Sequence, residues 1–299
     1  MPNWNEVLIE IEKEGTEGPV DRIRRKYLKK LFEKTGRNVI AFYSGWLQKP
    51  NVFSAFINDN DMNGFMTTIH QMDKSKGVDL LLHTPGGDLA ATESIVGYLR
   101  KIFDIDIRII VPHLAMSAGT IMACAGKEII MGKHSNLGPI DPQFNGISAE
   151  GVVEEFARAK KEIQDNQNTI PIWQVIIGKY HPTFIGDCEK AIRLSKKMVR
   201  GWLKTGMFKN KTNSGYKIAN IIKRLSSHKE TGSHARHIPA DVCVKIGLNV
   251  VMLETLDKEL QDLILTVHHS FIHTFASTPA IKIIENHTGR AMVIHHLAK

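Results

Sequence analysis

The chain of 299 residues is 42% hydrophobic and 23% charged, which is ordinary for a soluble globular protein with a sizeable core. Its formal net charge is +8, but the Lys and Arg residues are spread along the chain, so we expect no nucleic-acid partner. The three cysteines show no close pairing, which excludes a disulfide framework and favours a reducing, cytoplasmic location.

The sequence also argues against membrane insertion and export. No apolar run reaches the roughly 18–20 residues that a membrane-spanning helix needs. The N-terminal sequence MPNWNEVLIEIEKEGTEG has early acidic residues and no continuous apolar core, unlike a secretory signal. We therefore expect no integral membrane segment.

The first part of the chain has helical spacing. Apolar residues from Ile23 to Leu31 recur on one face with basic residues opposite, so we predict a helical extension. The first strand is NVIAFY, at Asn38–Tyr43. A polar loop follows, and its Asn and Asp residues are turn formers and a helix N-cap ahead of a helix at Met62–Met72.

The most informative stretch runs from Val78 to Gln143. A short apolar strand at Val78–His83 ends in TPGGD, and a helix begins at Leu89. A β-branched strand follows at Asp106–Val111, and the motif AMSAGT then leads into a helix of small and apolar residues. Ser117 in this motif is flanked by small residues at a strand-to-helix bend, where a nucleophile can be held exposed.

These two bends predict an oxyanion hole. In a parallel βαβ unit, adjacent loops at the carboxyl ends of the strands open onto the same edge of the sheet. Gly86 and Gly87 lack Cβ atoms, so either can turn a backbone N–H into a cleft. That amide and the amide of Ala118 would then flank one carbonyl oxygen beside Ser117.

Strands and helices continue to alternate after this stretch. We predict a strand at Glu128–Met131, a helix from Ser148 to about Gln164, a short helix at Pro239–Ile246, a strand at Val250–Leu253 and a helix at Asp257–Thr274. The predicted parts are an N-terminal helical extension at 1–36, a core at 37–256 with a helical insertion at about 171–226, and a C-terminal helical extension at 257–299.

The motifs HTPGGD and AMSAGT together resemble those of the Clp-type serine peptidases and of signal peptide peptidase A. The downstream sequence LGPIDPQF narrows the resemblance to the serine dehydrogenase proteinase family. RIRRKYLKKLFEKTGRNVIAFYSGWLQ near the N-terminus and KIIENHTG near the C-terminus also resemble that family. The resemblance therefore covers nearly the whole chain.

This resemblance implies an α/β fold of the Clp/crotonase type, built from repeated β/α units with flanking helical extensions. It also implies an intracellular serine peptidase that hydrolyses peptide or protein substrates through an acyl-enzyme on Ser117. A homo-oligomer is implied as well, because proteins of this fold usually stack into rings. We expect no metal or nucleotide cofactor, since the sequence has no GxxxxGK[ST] loop.

The base that deprotonates the serine is ambiguous in the sequence, although a serine hydroxyl needs one within hydrogen-bond reach. Clp-type peptidases carry a histidine where this chain has Ile140 and Asp141. Signal peptide peptidases use a lysine on a following helix, which matches Lys160 or Lys161. Partial burial of such a lysine would lower its pKa towards working pH. The resemblance thus favours a Ser–Lys dyad.

Other residues remain open as parts of the site. Asp141 in the motif GPIDP either orients a base or caps a helix. His113 lies four residues before Ser117, and His234 and His237 lie in the region where Clp-type enzymes carry their aspartate. Each of these histidines is an alternative base.

Two other functions would use the same fold. A crotonase-like acyl-CoA enzyme employs a similar pair of amides, and a non-catalytic relative would serve as an assembly scaffold. A serine at the start of a helix, and the lack of an evident acidic pair, count against the acyl-CoA enzyme. We therefore predict a serine peptidase.

Overall fold

A computed structural model of the chain describes residues 4–15, 18–50, 52–144, 146–226 and 232–296. Helices in these residues are α1 (Trp4–Lys13), α2 (Pro19–Thr35), α3 (Asp61–Ile69), α4 (Leu89–Phe103), α5 (Ala118–Ala123), α6 (Ala149–Asp165), α7 (Ile170–Ile177), α8 (Phe184–Thr205), α9 (Gly215–Ser226), α10 (Ala240–Ile246) and α11 (Lys258–Ser277). Strands are β1 (Asn38–Ser44), β2 (Val78–His83), β3 (Ile107–Val111), β4 (Leu114–Ala115), β5 (Glu128–Met131), β6 (Asn136–Leu137), β7 (Gln143–Phe144), β8 (Ile147–Ser148), β9 (Ile238–Pro239), β10 (Val250–Met252), β11 (Ala280–Asn286) and β12 (Ala291–His295).

The core is a seven-stranded sheet with the order β10-β5-β3-β2-β1-β11-β12. The strands from β10 to β1 are parallel to one another, whereas β11 and β12 pair antiparallel along the other side of β1. Strands β1 and β2 are buried along their whole length because helices cover both faces of the sheet. This architecture confirms the predicted α/β fold.

Alternate residues of the central strands pack into two separate apolar layers. Phe42, Leu80 and Leu82 face the layer that contains side chains of α3, α4, α5, α8 and α9. Tyr43 and Leu81 face the opposite layer, which contains side chains of α2 and α11. The parallel strands therefore carry nearly continuous apolar runs, and this is what the sequence shows at VDLLLH.

The C-terminal part of the chain contributes strands as well as a helix. Helix α11 packs against α2, but β11 and β12 extend the central sheet beyond β1. The region predicted as a helical extension at 257–299 thus contains two strands of the core. The three-part division of the chain itself stays a prediction.

A group of helices lies beside the carboxyl ends of the central strands. Helix α6 packs on α8 through a small apolar cluster around Val152 and Cys188, and α7 also contacts α6. Ser195 of α8 donates a hydrogen bond of 2.9 Å to the carbonyl of Ile140, which joins these helices to the loop after β6. Within the described residues, no helix is both long enough and apolar enough to cross a membrane.

Candidate active site

Two loops meet at the carboxyl ends of β2 and β3. The backbone of Thr84 pairs with the segment around Ala115: its N–H donates to Leu114 at 3.1 Å, and its carbonyl accepts from Met116 at 2.9 Å. A Cβ added at Gly86 would lie only 2.7 Å from the Cβ of Ser117. The two bends that the sequence placed at one sheet edge are therefore in direct contact.

Ser117 has an unusual backbone conformation, with φ 51° and ψ −118°. Non-glycine residues rarely adopt positive φ, and such a conformation typically costs about 1–3 kcal/mol. The serine is partly buried, and it immediately precedes α5. The hydrogen bond from Gly119 N–H to the Met116 carbonyl, at 2.7 Å, closes this tight turn. This is the geometry that projects a nucleophile from a strand-to-helix bend.

The hydrogen bonds of the glycine loop leave one of its amides available. Gly86 N–H donates to Thr84 Oγ1 at 3.1 Å. Ile57 is hydrogen-bonded to the residues on either side of Gly87. Its N–H donates to the Gly86 carbonyl at 2.8 Å, and its carbonyl accepts from Asp88 N–H at 2.9 Å. In the part of the chain that the structure describes, Gly87 N–H has no acceptor.

Ala118 provides a second available amide. Its N–H belongs to the first turn of α5, where backbone donors have no partner within a helix. Within the described ranges it donates no hydrogen bond. Gly87 and Ala118 both line the cleft that contains Ser117. Two backbone donors are thus available near one hydroxyl, as an oxyanion hole requires.

The cleft around Ser117 has a volume of about 640 Å³. Its polar lining includes Ser117, Asp141 and His234, together with Asp88, Gln143 and Ser195. The rest of the lining is largely apolar and is supplied by Phe53, Phe56, Leu89, Ile121, Ile140 and Phe144. A mostly apolar lining with a few polar groups is typical of ligand-binding sites.

Asp141 and His234 form a hydrogen-bonded pair within this cleft. His234 Nδ1 lies 2.8 Å from Asp141 Oδ1, and the carboxyl group is fully buried. Gln143 Nε2 at 3.1 Å and Ser148 Oγ at 3.2 Å donate to the other carboxylate oxygen. Burial raises the pKa of Asp141, but the interaction with His234 and the hydrogen bonds from Gln143 and Ser148 outweigh it, so the pKa lies below its ordinary value.

The lysines that the sequence favoured lie elsewhere. Lys160 and Lys161 are both exposed on α6, and neither lines the cleft. Helix α6 turns Val152 and Ala159 inwards, so the two lysines directly after Ala159 are exposed. The partial burial expected for Lys160 is therefore absent.

The alternative histidines are also separated by the fold. His113 is partly buried and packs against His83 and His268, with ring centroids 5.6 and 5.7 Å away. His237 lines a different cavity with Ile238. Of the histidines that the sequence offered, His234 is the one that lines the cleft with Ser117.

Sequence reasoning missed the residue that holds the glycine loop. Ile57 is buried, although the sequence predicts only a polar loop with a helix cap for its segment. The apolar residues AFI directly before NDND were its one local signal. Within the described residues, no group of three or more His, Cys, Asp or Glu side chains is placed to hold a metal ion.

Comparison with known proteins gives a match to one family and to two relatives. The profile of a family described as ClpP-like SDH-type serine proteinase matches residues 19–264. The chain is similar to the uncharacterized protein MJ0137 of Methanocaldococcus jannaschii, with 30% identity over 68% of this chain and 66% of the relative. It is also similar to the uncharacterized protein MJ1495 of the same organism, with 30% identity over 49% of this chain and 52% of the relative. The chain thus spans about two thirds and about half of these relatives.

Proposed function

Because the chain belongs to the ClpP-like SDH-type serine proteinase family, we propose that it is a serine peptidase in which Ser117 is the nucleophile. His234 is the general base in this proposal, and Asp141 orients it. The observation that carries the assignment is the 2.8 Å hydrogen bond between His234 and Asp141 within the cleft that Ser117 lines. It supports a Ser–His–Asp arrangement in place of the Ser–Lys dyad.

The proposed reaction follows from these positions. Because His234 Nδ1 is engaged by Asp141, Nε2 is the ring nitrogen that accepts the Ser117 proton. The serine oxygen attacks the peptide carbonyl carbon, and the carbonyl oxygen takes the negative charge. Gly87 and Ala118 N–H groups donate to that oxyanion, which typically contributes about 2.7–4 kcal/mol per donor.

The tetrahedral intermediate then collapses to an acyl-enzyme. The bond between the carbonyl carbon and the amide nitrogen breaks, and His234 returns its proton to the leaving amine. A water molecule attacks the ester with His234 again as the base, so the acid product leaves and Ser117 recovers its proton. The ionised, buried Asp141 stabilises the imidazolium in both steps.

The wider setting is also part of the proposal. We propose peptide or protein substrates, a homo-oligomeric assembly and a cytoplasmic location. Two exposed apolar side chains of α7, Ile172 at 62% and Val175 at 66%, support an assembly that covers them. The described cysteines are free and buried, which supports a reducing compartment.

The direct test is covalent labelling with a fluorophosphonate probe. Labelling should map to Ser117, disappear in Ser117→Ala, and fall strongly in His234→Ala. The variant Lys160→Ala/Lys161→Ala should be labelled like the wild type. A wild type that resists the probe and hydrolyses no peptide would refute the peptidase. If labelling is lost in the lysine variant and kept in His234→Ala, the general base is one of the lysines.

A further inference from the structure

A buried ion pair lies behind the glycine loop, outside the cleft. Lys282 of β11 and Asp61 at the start of α3 both have fully buried side chains. Lys282 Nζ donates to Asp61 at 2.8 and 3.0 Å, and also to the carbonyl of Phe56 at 2.6 Å. Asp61 accepts a further hydrogen bond of 3.0 Å from Asn58 N–H. The pair thus holds the two peptide groups that flank Ile57.

Ile57 connects this ion pair to the glycine loop. In an extended segment, successive backbone groups point in opposite directions. The Phe56 carbonyl and the Asn58 N–H point towards the ion pair, whereas the N–H and the carbonyl of Ile57 point the other way, to Gly86 and Asp88. The same alternation turns Gly87 N–H away from Ile57. The direction of the Gly87 N–H is therefore fixed by the position of residues 56–58.

The properties of the ion pair indicate that its role is to hold residues 56–58 in place. Burial lowers the pKa of Lys282 and raises that of Asp61, so both charged forms are disfavoured by their surroundings. Apolar replacement of a buried ion pair is often neutral or stabilising. The ammonium, however, has three directed donors, and here they join a β-strand, a helix and the loop segment. An apolar side chain cannot anchor the Phe56 carbonyl.

We propose that Lys282 and Asp61 are positioning residues for peptide hydrolysis, which set the direction of the Gly87 amide through Ile57. This inference rests on the proposed function, because it assigns Gly87 to the oxyanion hole. A displacement of about 1 Å at a catalytic group can cost about 100-fold in rate. Loss of one oxyanion donor costs about 100- to 1,000-fold in kcat.

The test is the double variant Asp61→Asn/Lys282→Met, which removes both charges at similar size. We expect kcat to fall about 10- to 100-fold while KM stays within about threefold, because the amide acts on the transition state. Binding of a peptide boronate, which forms a tetrahedral adduct on serine, should weaken by the same factor as kcat. In hydrogen exchange, the amides of Ile57 and Asp88 should lose protection.

A matched control comes from the same strand. Glu285 of β11 pairs with Arg24 of α2, both side chains are fully buried, and Glu285 adjoins Ile283 in the opposite apolar layer. The variant Arg24→Met/Glu285→Gln should change kcat by less than about threefold and leave exchange at Ile57 and Asp88 as in the wild type. If Asp61→Asn/Lys282→Met does not fold, Asp61→Asn alone keeps the side-chain size, and its kcat should fall about three- to tenfold with KM unchanged.

The outcomes separate this inference from the peptidase proposal. Unchanged kcat and unchanged exchange in the Asp61→Asn/Lys282→Met variant would overturn the positioning role, and so would equal losses in both double variants. A rise in KM with constant kcat would also overturn it. If the wild type shows no turnover that depends on Ser117, the peptidase proposal fails. Exchange at Ile57 and Asp88 then still decides whether the ion pair holds the loop.

Discussion

Gly86 packs directly against Ser117. A Cβ placed on Gly86 would lie 2.7 Å from the Cβ of Ser117 and 2.9 Å from the nitrogen of Ala118. Real Cβ atoms almost never approach so closely, so the absence of a side chain at residue 86 is what allows the two bends to touch. The contact involves both Ser117, the proposed nucleophile, and Ala118, the proposed second oxyanion donor.

The first prediction concerns this contact. Gly86→Ala introduces the clash, and it also places an alanine at a φ of 94°, which L-residues rarely adopt. We expect kcat/KM to fall at least about 100-fold, because Ser117 and Ala118 must shift together. The free energy of unfolding should fall by about 1–3 kcal/mol. Peptide hydrolysis and urea unfolding measure the two effects.

The control is another glycine with open space around it. A Cβ on Gly97, inside α4, would meet nothing within 4 Å. Gly97→Ala should raise stability by up to about 1 kcal/mol through helix propensity and leave hydrolysis unchanged. Near-normal activity in Gly86→Ala would mean that the two bends are not held together as the structure places them.

The second prediction tests the role of the Asp141 carboxylate. Asp141→Asn keeps the size of the side chain but removes the charge that holds His234 in one tautomer. In Ser–His–Asp sites such a change typically lowers kcat by about 10⁴-fold, and we expect a loss of about 10³- to 10⁴-fold here. The loss should appear equally in the rate of fluorophosphonate labelling, since both reactions need an activated Ser117.

Ser148→Ala serves as the matched control for Asp141. Ser148 also donates to this carboxylate, but its main structural role is the N-cap of α6, where it accepts from Gly151 N–H at 3.2 Å. Its removal should cost about 0.5–2 kcal/mol of stability and less than about tenfold in kcat. If Asp141→Asn keeps full activity, Asp141 is only a structural residue of the GPIDP loop.

The sequence carried enough information for the fold and for the contact between the two bends of the candidate site. The meeting of the Gly86 and Ser117 bends follows from parallel strands in consecutive β/α units, which is a local and directional rule. The apolar runs at NVIAFY and VDLLLH likewise predicted strands, and the structure buries both strands along their whole length. Such features are fixed by neighbours along the chain, so a single sequence suffices to infer them.

The rest of the site depends on long-range contacts that no local pattern encodes. Asp141 and His234 are separated by 93 positions, and either residue alone is typical of an ordinary loop. Lys160 sat on a plausible helix, but the side that α6 buries was decided by its packing on α8. The sequence did not reveal strands β11 and β12, because β11 pairs antiparallel with β1, which lies far away in the sequence.

The third prediction concerns the cysteines. Burial raises the pKa of Cys124 and of Cys243 to about 12, and it also raises the pKa of the buried Cys188. Because the thiolate is the reactive form, the native protein should not react with Ellman's reagent at pH 8. All three thiols should react in denaturant. The variant Lys160→Cys adds an exposed thiol, and it should contribute one fast-reacting equivalent in the native state.

Rapid reaction of the wild type would show that the apolar layers open at equilibrium. Slow reaction of Lys160→Cys would instead show that residue 160 is covered, contrary to its exposure in the structure. The experiment therefore tests both the packing of the core and the placement of α6.

The last prediction concerns His83, His113 and His268, which lie on the face of the sheet opposite the apolar layer that contains α4. His83 stacks near His113 at 5.6 Å and meets His268 of α11 at 5.2 Å, and within the described residues neither ring nitrogen of His83 has a hydrogen-bond partner. Burial, followed by His113, lowers the pKa of His83 well below 6.5. Burial and then His83 do the same for His268.

The sign of the stability effect follows from these directions. Below pH 6.5 the unfolded chain protonates both histidines, whereas the folded chain keeps them neutral, so the unfolded state binds more protons. Stability should therefore decrease as the pH falls from about 7 to about 5, by up to about 1.4 kcal/mol per pH unit for each histidine. Urea unfolding at pH 7.5, 6.5 and 5.5 measures this slope.

The variant His83→Phe/His268→Phe removes both titrations at similar size, so its slope should be flatter by up to about 2.7 kcal/mol per pH unit. Equal slopes in the variant and the wild type would mean that these histidines are protonated within the fold, contrary to the burial of both rings.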